Sequence, residues 1–386
     1  MAIPISYNVR NLRLRLGATV MTALGIALTV AIAIFIMALL SGLQQAFMTT
    51  GNPLNVMAMR KGSDSELSSI ISREQFGVIK ALPGLAKNSQ GDPLASGEMM
   101  VAIVLPRSDG TGETNVSVRG MSPVGFELRP EIKLLEGRWF AAGQREVVVS
   151  RSISKRFANA GMGNTLQFGK GSWTVVGIFD GAGTAHDSEI WADVNQMVTD
   201  FDRPVFSSVV MQASDAVAAD ALSNRLSDDQ RLKLDGMSEN SYFAKQTKSG
   251  AAIKFVGTLV AIIMAIGSCF AAMNTMYAAV AYRGREIATL RVLGFSRPSI
   301  LTSFVLEALL ISLVGGLVAV ILMLPFNGLT TGTSNQVTFS EVIFQMRMTP
   351  AVIAIAMMFA AIMGVLGGVA PAWHAARQNI LAALRG

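Results

Sequence analysis

The chain has 386 residues, of which 51% are hydrophobic and only 15% charged, well below the charged quarter typical of soluble domains. Long windows carry no charge at all, which excludes an ordinary soluble protein and makes this an integral membrane protein. The net charge of +6 does not point to nucleic acid, because the basic residues cluster beside apolar runs, where membrane topology accounts for them. Cys269 is the single cysteine, so one chain holds neither a disulfide framework nor a cysteine-rich metal site.

Residues 1–16 carry Arg10, Arg13 and Arg15 and no acid. Gly17 to Leu40 is then uninterrupted and apolar, about 36 Å as a helix. A cleaved signal peptide would have a shorter core and a small-residue cleavage site, and Ser41-Gly42-Leu43-Gln44-Gln45 supplies none. The run is expected to be a retained span with its N-terminus in the cytoplasm.

From Gln44 to about Ser249 charges, prolines and glycines return. Strands are predicted at Leu54–Met59, Met99–Leu105, Asn115–Val118, Glu146–Ser150, Thr165–Phe168, Trp173–Phe179 and Phe206–Met211. Ser72-Arg73-Glu74-Gln75 is a capping-box pattern opening a helix that ends near Pro83-Gly84. A second helix is predicted over Asp215–Leu226. The composition suits a mixed α+β domain of two subdomains, divided near Gly120–Gly137. Gly163 to Gly171 superficially matches a phosphate-binding loop. Its spacing is one residue too long, and Gly171 stands where a Ser or Thr must reach Mg²⁺. It reads as a strand and a glycine-rich turn before Trp173.

Three further apolar runs follow: Phe255–Val280, Leu301–Leu324 and Pro350–Ala370, the last ending at Pro371. Between the first two lies Tyr282–Ser299, with Arg283, Arg285, Glu286, Arg291 and Arg297. Ile287, Leu290 and Leu293 are three apart and line one face of a short helix. Gly294 stops that helix, and Pro298 cannot continue it. Such a basic amphipathic segment can lie on the bilayer or plug into a soluble partner. The loop 325–349 carries only Glu341 and Arg347 as charges. Arginine placement puts both termini and the 282–300 segment in the cytoplasm and the large domain outside.

The chemistry within the spans is sparse. Glu307 is the clear intramembrane charge, and an acid there is a functional candidate by default. It lies near the cytoplasmic end, so snorkelling or pairing with a nearby arginine is the simpler expectation. His186 and His374 fall in different compartments on this topology. Asp180, His186, Asp187 and Glu189 could hold a metal, but a solvated loop is expected. Gly257, Ala261 and Ala265, and again Ala360, Gly364 and Gly368, let helices approach closely, within a protomer or across a dimer.

Arg283-Gly-Arg-Glu286-Ile-Ala-Thr-Leu-Arg291-Val-Leu-Gly294, running into Glu307 and Gly315-Gly316, resembles the signature R-x-x-E-I-x-x-L-R-x-L-G of the MacB/FtsX-like permeases of ABC transporters. The tail Ala370-Pro371-Ala-Trp-His-Ala-Ala-Arg377 through Ala383-Leu384-Arg385 is similar to that family's ending. Ala23-Leu24-Gly25-Ile26-Ala27 resembles its first span, and Glu136-Gly137-Arg138-Trp139-Phe140 with Glu146–Ser150 and Thr174–Ile178 its extracytoplasmic domain. The resemblance implies an α-helical membrane protein with four transmembrane helices, arranged 1+3, plus a large extracytoplasmic mixed α+β domain. The implied parts are 1–43 with the first span, 44–249 as the MacB-like domain, 250–281, a coupling helix at 282–300, 301–324, an external loop 325–349, 350–371 and a tail 372–386.

On the same resemblance the protein is no enzyme and holds no cofactor. ATP and Mg²⁺ would be used by a separate cytoplasmic ATPase dimer, with no ATPase domain fused at the N-terminus as in MacB. Arg283, Arg285, Glu286, Ile287, Leu290, Arg291 and Gly294 are the implied coupling positions. Ile287 and Leu290 would fill an apolar groove, with charge-assisted contacts from Arg285, Glu286 and Arg291 around it. Arg283 and Glu286 could instead pair with each other. Implied partners are the lipid bilayer, a second permease copy or a related permease, and a periplasmic membrane-fusion protein. The implied function is export or extraction of a hydrophobic, lipidated or peptide-like substrate. The alternative is an FtsX-like regulator that activates an external cell-wall hydrolase without transport; a third is a sensor of antimicrobial peptides.

Overall fold

The computed structural model describes residues 16–335 and 337–377. Arg10, Arg13, Arg15 and the Ala383–Arg385 ending lie outside them. The chain divides into two compact units. One comprises the apolar helices, and the other holds residues 42–251 together with 330–345.

The helical unit is built on α1 (Leu16–Met48), α8 (Ala251–Tyr282), α10 (Arg297–Met323) and α11 (Pro350–Arg377). These are four helices long and apolar enough to cross a membrane, and each is longer than the apolar run that announced it. α11 continues through Pro371 to Arg377 rather than ending there; a proline in such a helix is tolerated where neighbouring helices surround it, and Pro371 is buried. Small residues set the packing. A Cβ on Gly364 would stand 2.1 Å from Ser312 Oγ, and one on Gly368 2.5 Å from Ala308 Cβ, so α10 and α11 meet backbone to backbone. A Cβ on Gly257 would meet Ile36 of α1 at 2.5 Å. Gly257, Gly364 and Gly368 therefore serve contacts within the protomer. Thr22 Oγ1 donates to Thr275 Oγ1 at 3.0 Å and Thr29 bonds Ser268, tying α1 to α8 through hydroxyls.

The other unit is mixed α/β. Its strands are β1 (Asn55–Arg60), β2 (Ala95–Pro106), β3 (Glu113–Met121), β4 (Lys133–Gly137), β5 (Glu146–Ser150), β6 (Thr165–Phe168), β7 (Gly171–Asp180), β8 (Glu189–Asp193), β9 (Ser208–Gln212) and β10 (Leu234–Ser238). Among the described residues they form one sheet in the order β10-β1-β9-β2-β3-β8-β5-β7-β4, with β6 on β7. The pairs β3–β8 and β5–β7 are parallel and the others antiparallel. The glycine-rich stretch at 163–171 is a hairpin, with Phe168 opposite Gly171.

Helices α2 (Arg73–Lys80), α3 (Val124–Glu127), α4 (Arg151–Arg156), α5 (Val194–Asp200), α6 (Ala216–Asp228) and α7 (Glu239–Gln246) join the strands. The Ser72 capping box forms in both directions: Gln75 N donates to Ser72 Oγ at 3.2 Å, and Ser72 N to Gln75 Oε1 at 2.7 Å. The core takes alternate residues of the strands, including Val101, Val118, Val147, Val149, Trp173 and Val209. β4, β8 and β10 were not predicted. β8 places Glu189 and Asp193 at its ends, which breaks the apolar pattern, yet all five of its residues are buried.

Candidate functional site

The segment between α8 and α10 folds as α9 (Gly284–Val292). Its C-terminus closes by two backbone bonds: Gly294 N donates to Arg291 O at 3.2 Å and Phe295 N to Leu290 O at 3.1 Å. This pair is the Schellman stop, which needs a left-handed residue, and Gly294 has φ +93°. Ser296 then caps α10, accepting from Ser299 N at 3.4 Å, with Pro298 in the first turn. The turn is thus specified at both ends by residues that leave little backbone choice.

Arg283, the residue before α9, points inward. Its Nη1 donates to Glu307 Oε2 at 2.9 Å and its Nε to Glu286 Oε2 at 3.1 Å. The guanidinium also lies over the Phe304 ring, 4.9 Å from the centroid. Both Arg283 and Glu307 are buried. Each charge makes the other tolerable, which accounts for an acid in α10 without a transport role.

Ile287 departs from its expected place. It is 2% exposed and packs with Met276, Val280, Ile300, Phe304, Ala372 and Ala375, so it belongs to the protomer's own core. The reason is the Arg283–Glu307 pair, which turns that face of α9 onto the bundle. Leu290 is half-buried, whereas Arg285 and Glu286 are exposed. Val292 and Leu293, at 65% and 64% exposure, are the apolar residues that α9 presents outward. Arg291 is half-buried and its Nη1 donates to Phe295 O at 3.3 Å, bracing the turn. A cavity of about 560 Å³ in the helical unit is lined in part by Glu307. Thr22, Ala272, Thr275, Ala308 and Gly364 are also among its walls.

The acidic cluster with a histidine is not a solvated loop. His186 and Glu189 are buried, with His186 Nδ1 3.0 Å from Glu189 Oε2. Glu189 belongs to a buried ionic network: Arg119 bonds it twice, at 2.7 and 2.9 Å, together with Glu66 at 2.7 and 3.0 Å and Glu98 at 2.8 Å. Arg129 holds the other side of Glu98 at 2.7 and 2.9 Å. Burial works against the ionised form of Glu189, but Arg119 and His186 overcome it and hold the carboxyl well below its usual range. Glu98 is lowered in the same way, burial being outweighed by Arg129 and Arg119. Asp187 instead accepts from the backbone of Gly181 and Gly183, and burial and Asp180 raise it. Among the described residues no cluster of metal-ligating side chains forms.

The sequence matches two family models: the MacB-like periplasmic core domain over residues 19–229 and the FtsX-like permease C-terminal domain over residues 258–380. The macrolide export ATP-binding/permease protein MacB of Pasteurella multocida is 23% identical over 387 residues, covering 95% of this chain and 57% of its own length. The ABC transporter permease YknZ of Bacillus subtilis is 25% identical, covering 95% of this chain and 94% of its own length. The crystal structure of the YknZ extracellular domain aligns with 48% of this chain and all of that domain, at 16% identity and a TM-score of 0.37. With one family model covering the domain and first span, and the second covering the remaining spans, the chain belongs to the MacB/FtsX-like ABC transporter permeases.

Proposed function

We propose that this permease couples ATP hydrolysis by a separate cytoplasmic ATPase dimer to movement of its α/β unit outside the membrane. In this reading both termini and α9 are cytoplasmic, and the chain works with a second copy of itself or a related permease. The observation that carries the reading is α9. It is a short basic helix with a rigid glycine stop, anchored in the protomer through Arg283 and Ile287, while Arg285, Glu286, Val292 and Leu293 remain outward. A helix locked to the spans on one face and exposed on the other is the geometry a transmission element requires. α1 and α8 run directly into the α/β unit by chain continuity, so a push on α9 has a covalent route outward.

The catalytic step and its ATP and Mg²⁺ belong to the partner, and this chain acts as a non-enzymatic subunit. The cargo is a hydrophobic, lipidated or peptide-like molecule engaged by the α/β unit or at the outer leaflet. The sparse hydroxyl contacts between the helices support that route over a polar pore. A membrane-fusion protein is a further partner of this arrangement. The test replaces Arg285 and Glu286 with alanine in the permease reconstituted with its ATPase. ATPase binding is expected to weaken at least tenfold; unchanged binding and unchanged ATP-driven movement of the α/β unit would sink the coupling assignment.

A further inference from the structure

The connection between α10 and α11 was expected to be a short external loop. Instead residues 330–345 fold as part of the α/β unit, as a hairpin of β11 (Thr330–Ser334) and β12 (Glu341–Gln345). Val342, Ile343 and Phe344 are buried, and Ile343 belongs to the core cluster of the unit. Ile343 N donates to Ser188 Oγ at 2.7 Å. Asn115 Nδ2 donates to Phe339 O at 2.9 Å, and Asn335 Nδ2 to Gln246 Oε1 at 2.9 Å, so three separate parts of the unit hold the hairpin.

Its one acid is the centre of this attachment. Glu341 is 3% exposed and receives Arg107 on one carboxylate oxygen at 2.6 Å and Arg156 on the other. Two guanidiniums from different elements thus close on a single buried carboxylate, the strongest class of polar contact available here. The hairpin is shaped around it, since a Cβ at Gly332 would lie 2.0 Å from Glu341 Oε1. Within the same unit, a Cβ at Gly42 would lie 2.1 Å from Gln345 O at the strand end. Hydrophobic burial alone would hold the hairpin, but buried apolar contacts are non-directional. A carboxylate gripped from two sides resists sliding as well as separation.

We propose that Glu341 is a positioning residue that makes this hairpin a strap, through which α10 and α11 pull on the α/β unit in addition to α1 and α8. The inference rests on the coupling reading and extends it: all four transmembrane helices are then tied to the unit, two by direct continuity and two through the clamp.

The experiment uses the full permease reconstituted with its partner ATPase in liposomes, Cys269 being replaced by serine. The readout is hydrogen exchange with and without ATP and vanadate. In the parent protein, ATP is expected to change exchange within residues 42–251. Glu341→Gln should speed exchange of 330–345 at least tenfold and cut the ATP-dependent change in 42–251 at least threefold, with ATPase binding retained. Ser117 Oγ donates to Ser340 Oγ at 2.8 Å, so these two side chains already meet and are the pair to cross-link. Ser117→Cys with Ser340→Cys, added to Glu341→Gln, should restore the response when oxidised and lose it again on reduction. A merely structural role for Glu341 would not make the response follow the redox state. A full ATP response in Glu341→Gln despite faster exchange of the hairpin, or no rescue by the disulfide, would overturn the strap alone. No ATP response in the parent protein would remove the coupling reading and the strap with it.

Discussion

Arg119 shows what a single buried charge does in this fold. It is 1% exposed and faces Glu66, Glu98 and Glu189, which come from the segment before α2, from β2 and from β8. Removing one partner of a buried ionic group leaves the others uncompensated, at about 3–5 kcal/mol. Arg119→Met should therefore destabilise the α/β unit by that amount. The check is the denaturant midpoint of the full chain in detergent, followed by tryptophan fluorescence. Trp191 is a suitable reporter because its Nε1 donates to Glu189 Oε2 at 2.7 Å. A loss below about 1 kcal/mol would mean that the network relaxes around the gap. None of this was legible beforehand, because Glu66 and Arg119 are 53 residues apart and Arg119 and Glu189 are 70 apart. Glu307 was more legible: a lone acid near the end of an apolar run calls for a cation, and the basic segment nearby offered several.

At the scale of elements, α9 depends on Gly294. A non-glycine residue at φ +93° carries a left-handed penalty of about 1–2 kcal/mol. Gly294→Ala should tilt or fray the end of α9 and displace Val292 and Leu293. On the coupling proposed above, the expected result is roughly a tenfold loss of ATPase affinity, measured by co-purification titration, with the thermal transition of the α/β unit unchanged. Retained affinity would show that the stop is dispensable. The helix, its glycine stop and its capping serine were readable because each is a local signal. Which face turned inward was not, since Ile287 and Leu293 are equally apolar and the choice between them was made by the pairing of Arg283.

For the molecule as a whole, the same network sets an acid limit. Glu98 and Glu189 are held below the ordinary carboxylate value, so the unfolded chain binds their protons more readily than the folded one. Their stabilisation is fully present above the unfolded value of about 4.3 and is lost as pH falls through their lowered folded values. Asp187, being raised, works in the opposite sense, but it is one group against two. Thermal unfolding of the α/β unit should change little from these groups between pH 7 and 5. It should then shift sharply downwards below pH 4. An unchanged transition temperature at pH 3 would contradict the assignment.

The sequence by itself determined four helices long and apolar enough to cross a membrane, a mixed α+β domain of independent size after the first, and a basic helix between the second and third. These follow from apolar run length, capping residues and turn glycines, which act over a few neighbouring positions. Tertiary structure alone decided the partners: Arg283 with Glu307 across 24 residues, and Arg107 with Glu341 across 234. It also took the loop between the last two helices out of solvent and built it into the α/β unit. The physical reason is the same in each case. A charge declares its need for a counter-charge in the sequence, but burial and chain topology determine which one comes within reach.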